Sequence, residues 1–548
     1  MTDDGTRRGA ALMASGTAVS RMLGLLRAMV MASAIGATGQ AADAFAVANK
    51  LPNVLYMLLA GGVLNAILVP QVVRAYKRKA GQEYVDRLLT LGFAVLAGAT
   101  VVLTLLAPVL VGLYSNFGNP TQNALATTFA YWCIPQLFFY GVYGLLGQVL
   151  NARGSFGPYM WAPAVNNLVA IAGFGLFIAV FGVWKTSGVV DASTWTGGQV
   201  ALLAGAATLG VVAQAVVLIP ALRRAGVHYR PRWGLRGSGL GAAGGVATWT
   251  LAGLGVGQLG YLVVSRVASA APDAAVADGV TGTAVAGPAA YDVAFLIFML
   301  PHSLVTVSLA TALFTRLSAQ AHDADVAGVR ATLSSGLRVV GVFTVFATAA
   351  IVVLALPVTR VILATASAGS ADAVASVVIA MVLGLPAFGA WSMFQRAYYA
   401  YEDARSMVPI QVAMAAVVAL GAWASQMLLR PTLWVAGAGA AMTVSYVVGA
   451  GIAQWQLRRR LGGIDGARVL QVMARATLAA VVSAAVGFGV LLLLRIWLST
   501  GLMASIIQCA VVGTLMGLAY AAALRLLRVR ELDNLLMPVL RRLRGGRR

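Results

Sequence analysis

The 548-residue sequence predicts an all-α polytopic membrane protein with fourteen transmembrane helices: two parallel-repeat six-helix lobes around a central cavity, plus a thirteenth and a fourteenth helix. Three observations carry that reading. Hydrophobic residues make up 60% of the chain and charged ones 10%, with a mean hydropathy of +0.85, whereas a soluble chain carries about 25% charge. Apolar runs of roughly 20 residues, long enough to span the hydrocarbon core, recur along the whole chain. Connecting segments alternate between rich and poor in Lys and Arg, as loops on opposite membrane faces do. The same composition excludes disordered, collagen-like and disulfide-stapled classes, because charge is low, glycine has no strict period and there are two cysteines.

The runs fall at 10–35, 45–73, 88–113, 124–150, 159–183, 197–222, 240–270, 289–315, 332–356, 373–400, 406–428, 432–457, 469–494 and 501–524, separated by polar, Gly or Pro punctuation. With the N-terminus inside, 28 of the 39 Lys and Arg lie in cytoplasmic segments, seven lie within spans, and only Lys185, Arg360, Arg430 and Arg495 lie outside. An even number of crossings puts the C-terminus inside as well. The net charge of +22 would suggest nucleic acid in a soluble protein. Here topology and attraction to anionic inner-leaflet lipid account for it, and no nucleic-acid partner is expected. The first run reads as a span rather than a cleaved signal, because Arg21 and Arg27 interrupt it.

Two landmarks recur at nearly one separation. Asp43-Ala44 with Leu51-Pro52 in the second span returns as Asp292-Val293 with Leu300-Pro301 in the eighth, an offset of 249. Ile134-Pro135 with Pro158 returns as Leu385-Pro386 with Pro409, an offset of 251. Leu-Pro pairs are common in apolar helices, but their co-linearity argues for a repeat. Six spans per copy make both copies enter the membrane in the same sense. The expected division is an N-terminal lobe over 1–230, a C-terminal lobe over 231–460, helices thirteen and fourteen over 461–530, and a basic cytoplasmic tail over 531–548. A mid-span proline kinks its helix, so matching kinks suggest a cleft between the lobes, with Gly24, Pro52 and Pro301 as hinge candidates.

Charge at the membrane centre costs about 2.5 kcal/mol or more, which makes each intramembrane cation a functional candidate. The seven are Arg21, Arg27, Lys50, Arg266, Arg338, Arg396 and Arg475. The last three lie near cytoplasmic ends and can snorkel to the interface. Lys50 has a similar alternative, since its long stem can reach the outer surface. Few acids are near: Asp43, Asp273, Asp278 and Asp292 are the outer-side carboxylates. Arg21, Arg27, Lys50 and Arg266 should therefore line a hydrated cavity that an anionic ligand completes, and a planar guanidinium suits phosphate oxygens. Arg21 and Arg27 are about 120° apart on a regular helix, an angle that Gly24 can loosen.

Nothing in the sequence looks catalytic, and no cofactor or metal is expected. Gly255, Gly257 and Gly260 match a dinucleotide fingerprint, but no strand precedes them and close helix packing explains them. His302 reads as an interior histidine or a titrating coupling site. Cys133 and Cys509 sit in apolar spans as small hydrophobes.

The run Ser20-Arg21-Met22-Leu23-Gly24-Leu25-Leu26-Arg27, followed by Asp43-Ala44-Phe45, Lys50-Leu51-Pro52-Asn53 and Val69-Pro70, resembles the opening of the MurJ/MviN family of lipid II flippases. Asp403 and Pro409 resemble that family's residues between the tenth and eleventh helices. The resemblance implies the fold of the multidrug/oligosaccharidyl-lipid/polysaccharide exporter superfamily, with a hydrophobic groove on the last two helices. It implies movement of lipid II, the polyprenyl-diphosphate-linked peptidoglycan precursor, from the inner to the outer leaflet of a bacterial inner membrane. Arg21, Arg27 and Asp43 then match functional positions, and Asn53 joins them through its motif. Membrane lipids and cell-wall synthesis proteins are the other implied partners. The sequence departs from the pattern at Tyr56, Met57 and Gly61, and Leu296 stands where the eighth helix usually supplies an arginine, so Arg266 is a candidate replacement. These departures resemble an actinobacterial branch. Two other functions compete: export of another polyprenyl-linked glycan or a small molecule, and a non-transporting scaffold for envelope assembly. No coupling cation can be assigned a site.

Overall fold

A computed structural model describes residues 3–59, 82–184, 192–234, 244–498, 501–529 and 531. Among these residues all regular structure is helical. Eleven helices are long and apolar enough to cross a membrane, or twelve if one bent pair counts as a single span. The expected fourteen are not all reached among the described residues. The second and seventh spans run into 60–81 and 235–243, which lie outside them, as do Gly61, Val69, Pro70 and the tail from 532 onward.

The chain separates into two compact units, Met1–Ala289 with Thr365–Ser367, and Ala290–Ala364 with Ala368–Arg548. The first holds α1 (Asp3–Ile35), α2 (Gln40–Leu59), α3 (Gln82–Leu105), α4 (Ala107–Tyr114), α5 (Pro120–Cys133), α6 (Gln136–Ala152), α7 (Phe156–Phe181), α8 (Gly197–Val216), α9 (Leu218–Arg224) and α10 (Gly244–Ala277). Its core is built on small residues, because hydrocarbon offers no hydrophobic drive between helices and close backbone approach must supply it. Ala41, Ala44 and Ala48 of α2 pack with Ala126 and Ala130 of α5 and Ala204 and Ala207 of α8. Phe45 meets Phe129 edge-on at 5.3 Å, and Trp195 closes on Phe129 at 5.4 Å. Local signals start the helices: Asn119 caps α5 ahead of Pro120, and Thr196 with Gln199 forms a reciprocal capping box on α8.

The second unit holds most of α11 (Pro288–Pro301), followed by α12 (Val307–His322), α13 (Val326–Ile362), α14 (Ala368–Val382), α15 (Leu385–Ala400), α16 (Val408–Leu428), α17 (Trp434–Arg460), α18 (Gly466–Trp497) and α19 (Leu502–Leu526). The 37-residue α13 is its axis. The last two helices belong to this unit. Tyr520 Oη donates to Val342 O at 2.7 Å, Ser483 Oγ donates to Met516 O at 2.8 Å, and Arg338 Nε meets Glu531 Oε1 at 2.8 Å. The lobes expected from the repeat are a different division from these compact units, since α10, the seventh span, lies in the first.

Of the two repeated proline pairs, Pro135 and Pro386 mark breaks at matching places, while Pro52 and Pro301 differ. Ile134-Pro135 separates α5 from α6, where Leu137 and Phe138 turn to i−3 carbonyls. Pro386 opens α15 after a 46° bend from α14. Pro52 lies within an unbroken α2. Pro301 ends α11 and leads into a π-helical turn, His302–Thr306, which is the usual consequence of displacing one helical hydrogen bond.

Arg338 shows what an intramembrane charge requires. Its side chain is 11% exposed and that of Glu531 12%, and its Nη1 also donates to Ser334 Oγ at 2.5 Å. Pairing, rather than snorkelling, accommodates it. Glu531→Ala leaves a buried guanidinium uncompensated and should cost roughly 3 kcal/mol. A thermal melt in detergent should fall by several degrees, and Arg338→Met combined with Glu531→Ala should recover most of the loss.

Candidate functional site

The candidate cations of the first unit are set on three helices. α1 packs along α7, with Gly16 against the Trp161 ring and Asn167 Nδ2 donating to Ser20 O at 2.9 Å. That contact fixes the turn carrying Arg21. Its Nη1 is buried and has no hydrogen-bond partner among the described residues. Arg27 lies about 9 Å further along the helix, with its Cζ 5.9 Å from the centre of the Phe174 ring on α7. Tyr140 and Cys133 are its titratable neighbours. Neither arginine makes an ion pair among the described residues. Gly24 stands between them in a helix that runs unbroken, and its nearest neighbour across the interface is Asn167.

Lys50 belongs to a second group. Its Nζ lies 5.5 Å from the centre of the Tyr261 ring on α10, and the half-buried Asn53 follows one turn later on α2. Asp43, at the start of α2, is 1% exposed. Its Oδ1 accepts the backbone N–H of Ala289 at 2.9 Å. Its Oδ2 faces Gly287, where a Cβ would stand 2.3 Å away, so no larger residue fits beside the carboxylate.

Arg266 is already engaged. Its Nη1 donates to Gly112 O at 2.7 Å and to Leu113 O and Ser115 O at 3.2 Å each, the carbonyls left over where α4 ends. Its neighbours on α10 continue the clamp. Ser265 Oγ donates to Tyr114 O at 2.6 Å, Ser269 Oγ accepts Asn116 N–H at 2.7 Å, and Asp273 Oδ2 accepts Gly118 N–H at 2.6 Å. Four side chains on two turns of α10 thus hold the segment after α4. The structure therefore brings Arg21 and Arg27 together along α7, Lys50 beside α10, and Arg266 to the end of α4.

Reading the sequence for charge passed over the neutral polar residues among these spans. Gln136 Nε2 donates to Asn49 Oδ1 at 3.3 Å and to Thr208 Oγ1 at 3.0 Å, and Asn166 Nδ2 donates to Gln214 Oε1 at 2.8 Å. Asn49 precedes Lys50, so this network helps to fix the turn that carries the lysine. Asn and Gln inside apolar runs were the available signal. At the departures from the family pattern, Tyr56 packs on Tyr140 at 5.8 Å, Met57 is exposed, and Leu296 is half-buried. In the second unit the buried His302 ring lies 4.1 Å from that of Phe388.

Outside the spans, Asp403 forms a junction between α15, α16 and α17. It receives Arg460 Nη1 at 2.6 Å, Ser406 Oγ at 2.8 Å and Ser406 N–H at 3.1 Å. Burial pushes its carboxyl up, but the Ser406 hydrogen bonds and the Arg460 guanidinium outweigh this and hold it below the ordinary carboxylate value.

Many apolar spans and regular structure that is all helical among the described residues define a polytopic membrane protein. The family model described as "Lipid II flippase MurJ" matches residues 31–512, and the chain belongs to that family. It is similar to the probable lipid II flippase MurJ of Synechocystis, 25% identical over 96% of this chain and 95% of the relative. It is 29% identical to the protein of the same description from Haemophilus influenzae over 266 residues, 46% of this chain and 49% of that relative. A solved structure titled as lipid II flippase MurJ in an inward closed conformation superposes with a TM-score of 0.70 at 15% identity, covering 94% of this chain and 99% of the other. An inward-facing multidrug resistance MATE family transporter of the MOP superfamily superposes with a TM-score of 0.63 at 14% identity, over 82% of this chain and 96% of the other. The all-helical superfamily fold expected from the resemblance is thus the fold found, with eleven or twelve spans among the described residues.

Two outcomes are expected. Arg266→Ala frees the carbonyls after α4 and should lower thermal stability by about 1–3 kcal/mol, with Arg266→Lys recovering part of it; an unchanged melt would remove its role as a strut. Because the Asp403 carboxyl is held low, its contribution is complete above about pH 4 and is lost as pH falls through its lower folded value. Melts from neutral to acid pH should therefore show a steeper acid decline in the wild type than in Asp403→Asn.

Proposed function

We propose that this protein is a lipid II flippase that carries the diphosphate-linked precursor from the inner to the outer leaflet by alternating access. The headgroup is held by Arg21 and Arg27 in a central cationic cavity, with Lys50, Asn53 and Asp43 completing the substrate site and Gly24, Pro52 and Pro301 acting as hinge positions. The observation that carries this reading is the buried Nη1 of Arg21, which has no hydrogen-bond partner among the described residues on a helix that reads as a membrane span. Family membership supports the substrate, and the basic bias of the connecting segments supports an inner-membrane protein with both termini in the cytoplasm.

A diphosphate suits this chemistry. It supplies the acceptor oxygens that a desolvated guanidinium lacks, and two parallel hydrogen bonds orient it. The polyprenyl chain can stay in lipid throughout, so only the polar headgroup needs a wet path. Arg266 stands apart as a positioning residue, since its Nη1 already serves the carbonyls after α4. A drug exporter would be expected to carry carboxylates in its spans, where this chain carries arginines. A scaffold would tolerate neutral residues at 21 and 27. In cells where this chain is the sole flippase, Arg21→Ala and Arg27→Ala should each reduce lipid II exposed on the outer face by tenfold or more, for loss of about 1.4 kcal/mol or more of headgroup interaction. Full exposure in the double variant at normal protein levels would reject the proposal.

A further inference from the structure

The positive-inside pattern leaves only four basic residues in outer segments, and two of them converge. Arg360, in the last turn of α13, and Arg495, in the last turn of α18, line one pocket of about 200 Å³ with Gly501, Ala504, Ser505 and Gln508 of the start of α19. They are 135 positions apart in sequence, and all three helices belong to the second unit. Basic side chains in a last turn often answer the carbonyls of their own helix end. Here neither guanidinium makes a hydrogen bond or an ion pair among the described residues.

Three further features point to an anion. The first turn of α19 opens at Gly501 with no side-chain cap, and Gly501 and Ala504 line the pocket, so the positive end of a 25-residue helix adjoins it. Gln508, one turn beyond Ala504 and Ser505, is 6% exposed, lines the pocket, and has no hydrogen-bond partner among the described residues. Ser505, 1% exposed, directs its hydroxyl hydrogen to Gly501 O at 2.9 Å, which leaves its oxygen as an acceptor and the amide of Gln508 as the neutral donor. Two guanidinium groups, a helix N-terminus and an amide donor meet, with no carboxylate among the lining residues.

The surroundings indicate where such an anion comes from. Ile496, Trp497 and Met503 flank the pocket in the chain and are 76%, 83% and 68% exposed. An exposed tryptophan at the end of a membrane-spanning helix is the usual mark of the headgroup level. We infer that Arg360, Arg495 and Gln508 form a phosphate-binding site at the outer membrane face, separate from the cations of the first unit, that takes the headgroup of an anionic phospholipid while its acyl chains lie along the exposed apolar flank of α18 and α19.

The test is native mass spectrometry of the full-length protein in detergent, with phosphatidylglycerol, diacylglycerol and inorganic phosphate as probes. Phosphatidylglycerol should be retained and diacylglycerol, which has no phosphate, should not. Arg360→Gln with Arg495→Gln should reduce phosphatidylglycerol retention roughly tenfold or more. Arg430→Gln, which removes an outer arginine away from the pocket, should leave it unchanged. Arg495 is exposed, so Arg495→Gln alone should fold normally and lose several-fold, and the double Lys variant should keep most of the binding. Competition by inorganic phosphate shows that the phosphate group is what the site reads. Binding of phosphate with no retention of lipid would make the source a free anion. Equal retention of diacylglycerol, no loss in the Gln variants, or an equal loss in Arg430→Gln would each overturn the site.

Discussion

A guanidinium placed in hydrocarbon must find oxygen, and that requirement organises this protein. Arg266 reaches the carbonyls at the end of α4, and Arg338 a carboxylate and a hydroxyl. Outside the spans the same kind of pairing recurs, with Arg330 donating to the carbonyl of Leu461 just past α17 and Arg460 reaching Asp403 at the junction of three helices. Arg266 and Arg338 each join helices distant in sequence, so the cost of burying charge is offset by tying those helices together. Arg21 departs from the pattern, with a buried nitrogen left over. The partnered arginines tie helices together, and the unpartnered nitrogen of Arg21 is what the proposed substrate site rests on.

Small residues and prolines do the rest of the structural work. Alanines on α2, α5 and α8 let backbones approach until dispersion contacts accumulate. Prolines then interrupt helices whose cores are otherwise uniform, between α5 and α6, at the start of α15 and at the π-turn after α11. A helix broken at such a point has backbone carbonyls free to turn toward a ligand or water, which is how a closely packed membrane bundle can still change shape.

Composition and periodicity were enough for the fold class, because in a bilayer only a helix satisfies its own backbone and long apolar runs have no other solution. The breaks at Pro135 and Pro386 were legible for the same reason. The candidate site was legible at Arg21, Arg27, Lys50 and Asp43 as charges out of place. Their partners were not: nothing local in Arg266 announces Gly112, and nothing in Arg338 announces Glu531, since these contacts span about 150 and 190 residues. The Gln136 network was missed because neutral amides carry a weaker penalty than charge and so a weaker signal. Six residues separate Arg21 from Arg27 on a regular helix, and no property of that spacing tells which turn faces α7; Asn167 and Trp161 settle it.

The central claim is that water and a phosphate-bearing headgroup reach the arginines of α1. Alkylation of Arg27→Cys by a membrane-impermeant maleimide, in a chain whose Cys133 and Cys509 are replaced by serine or alanine, measures this most directly. Labelling should occur and should be suppressed when lipid II is added. A cysteine at position 27 that stays unlabelled in the folded protein, or is labelled equally with and without lipid II, would contradict it.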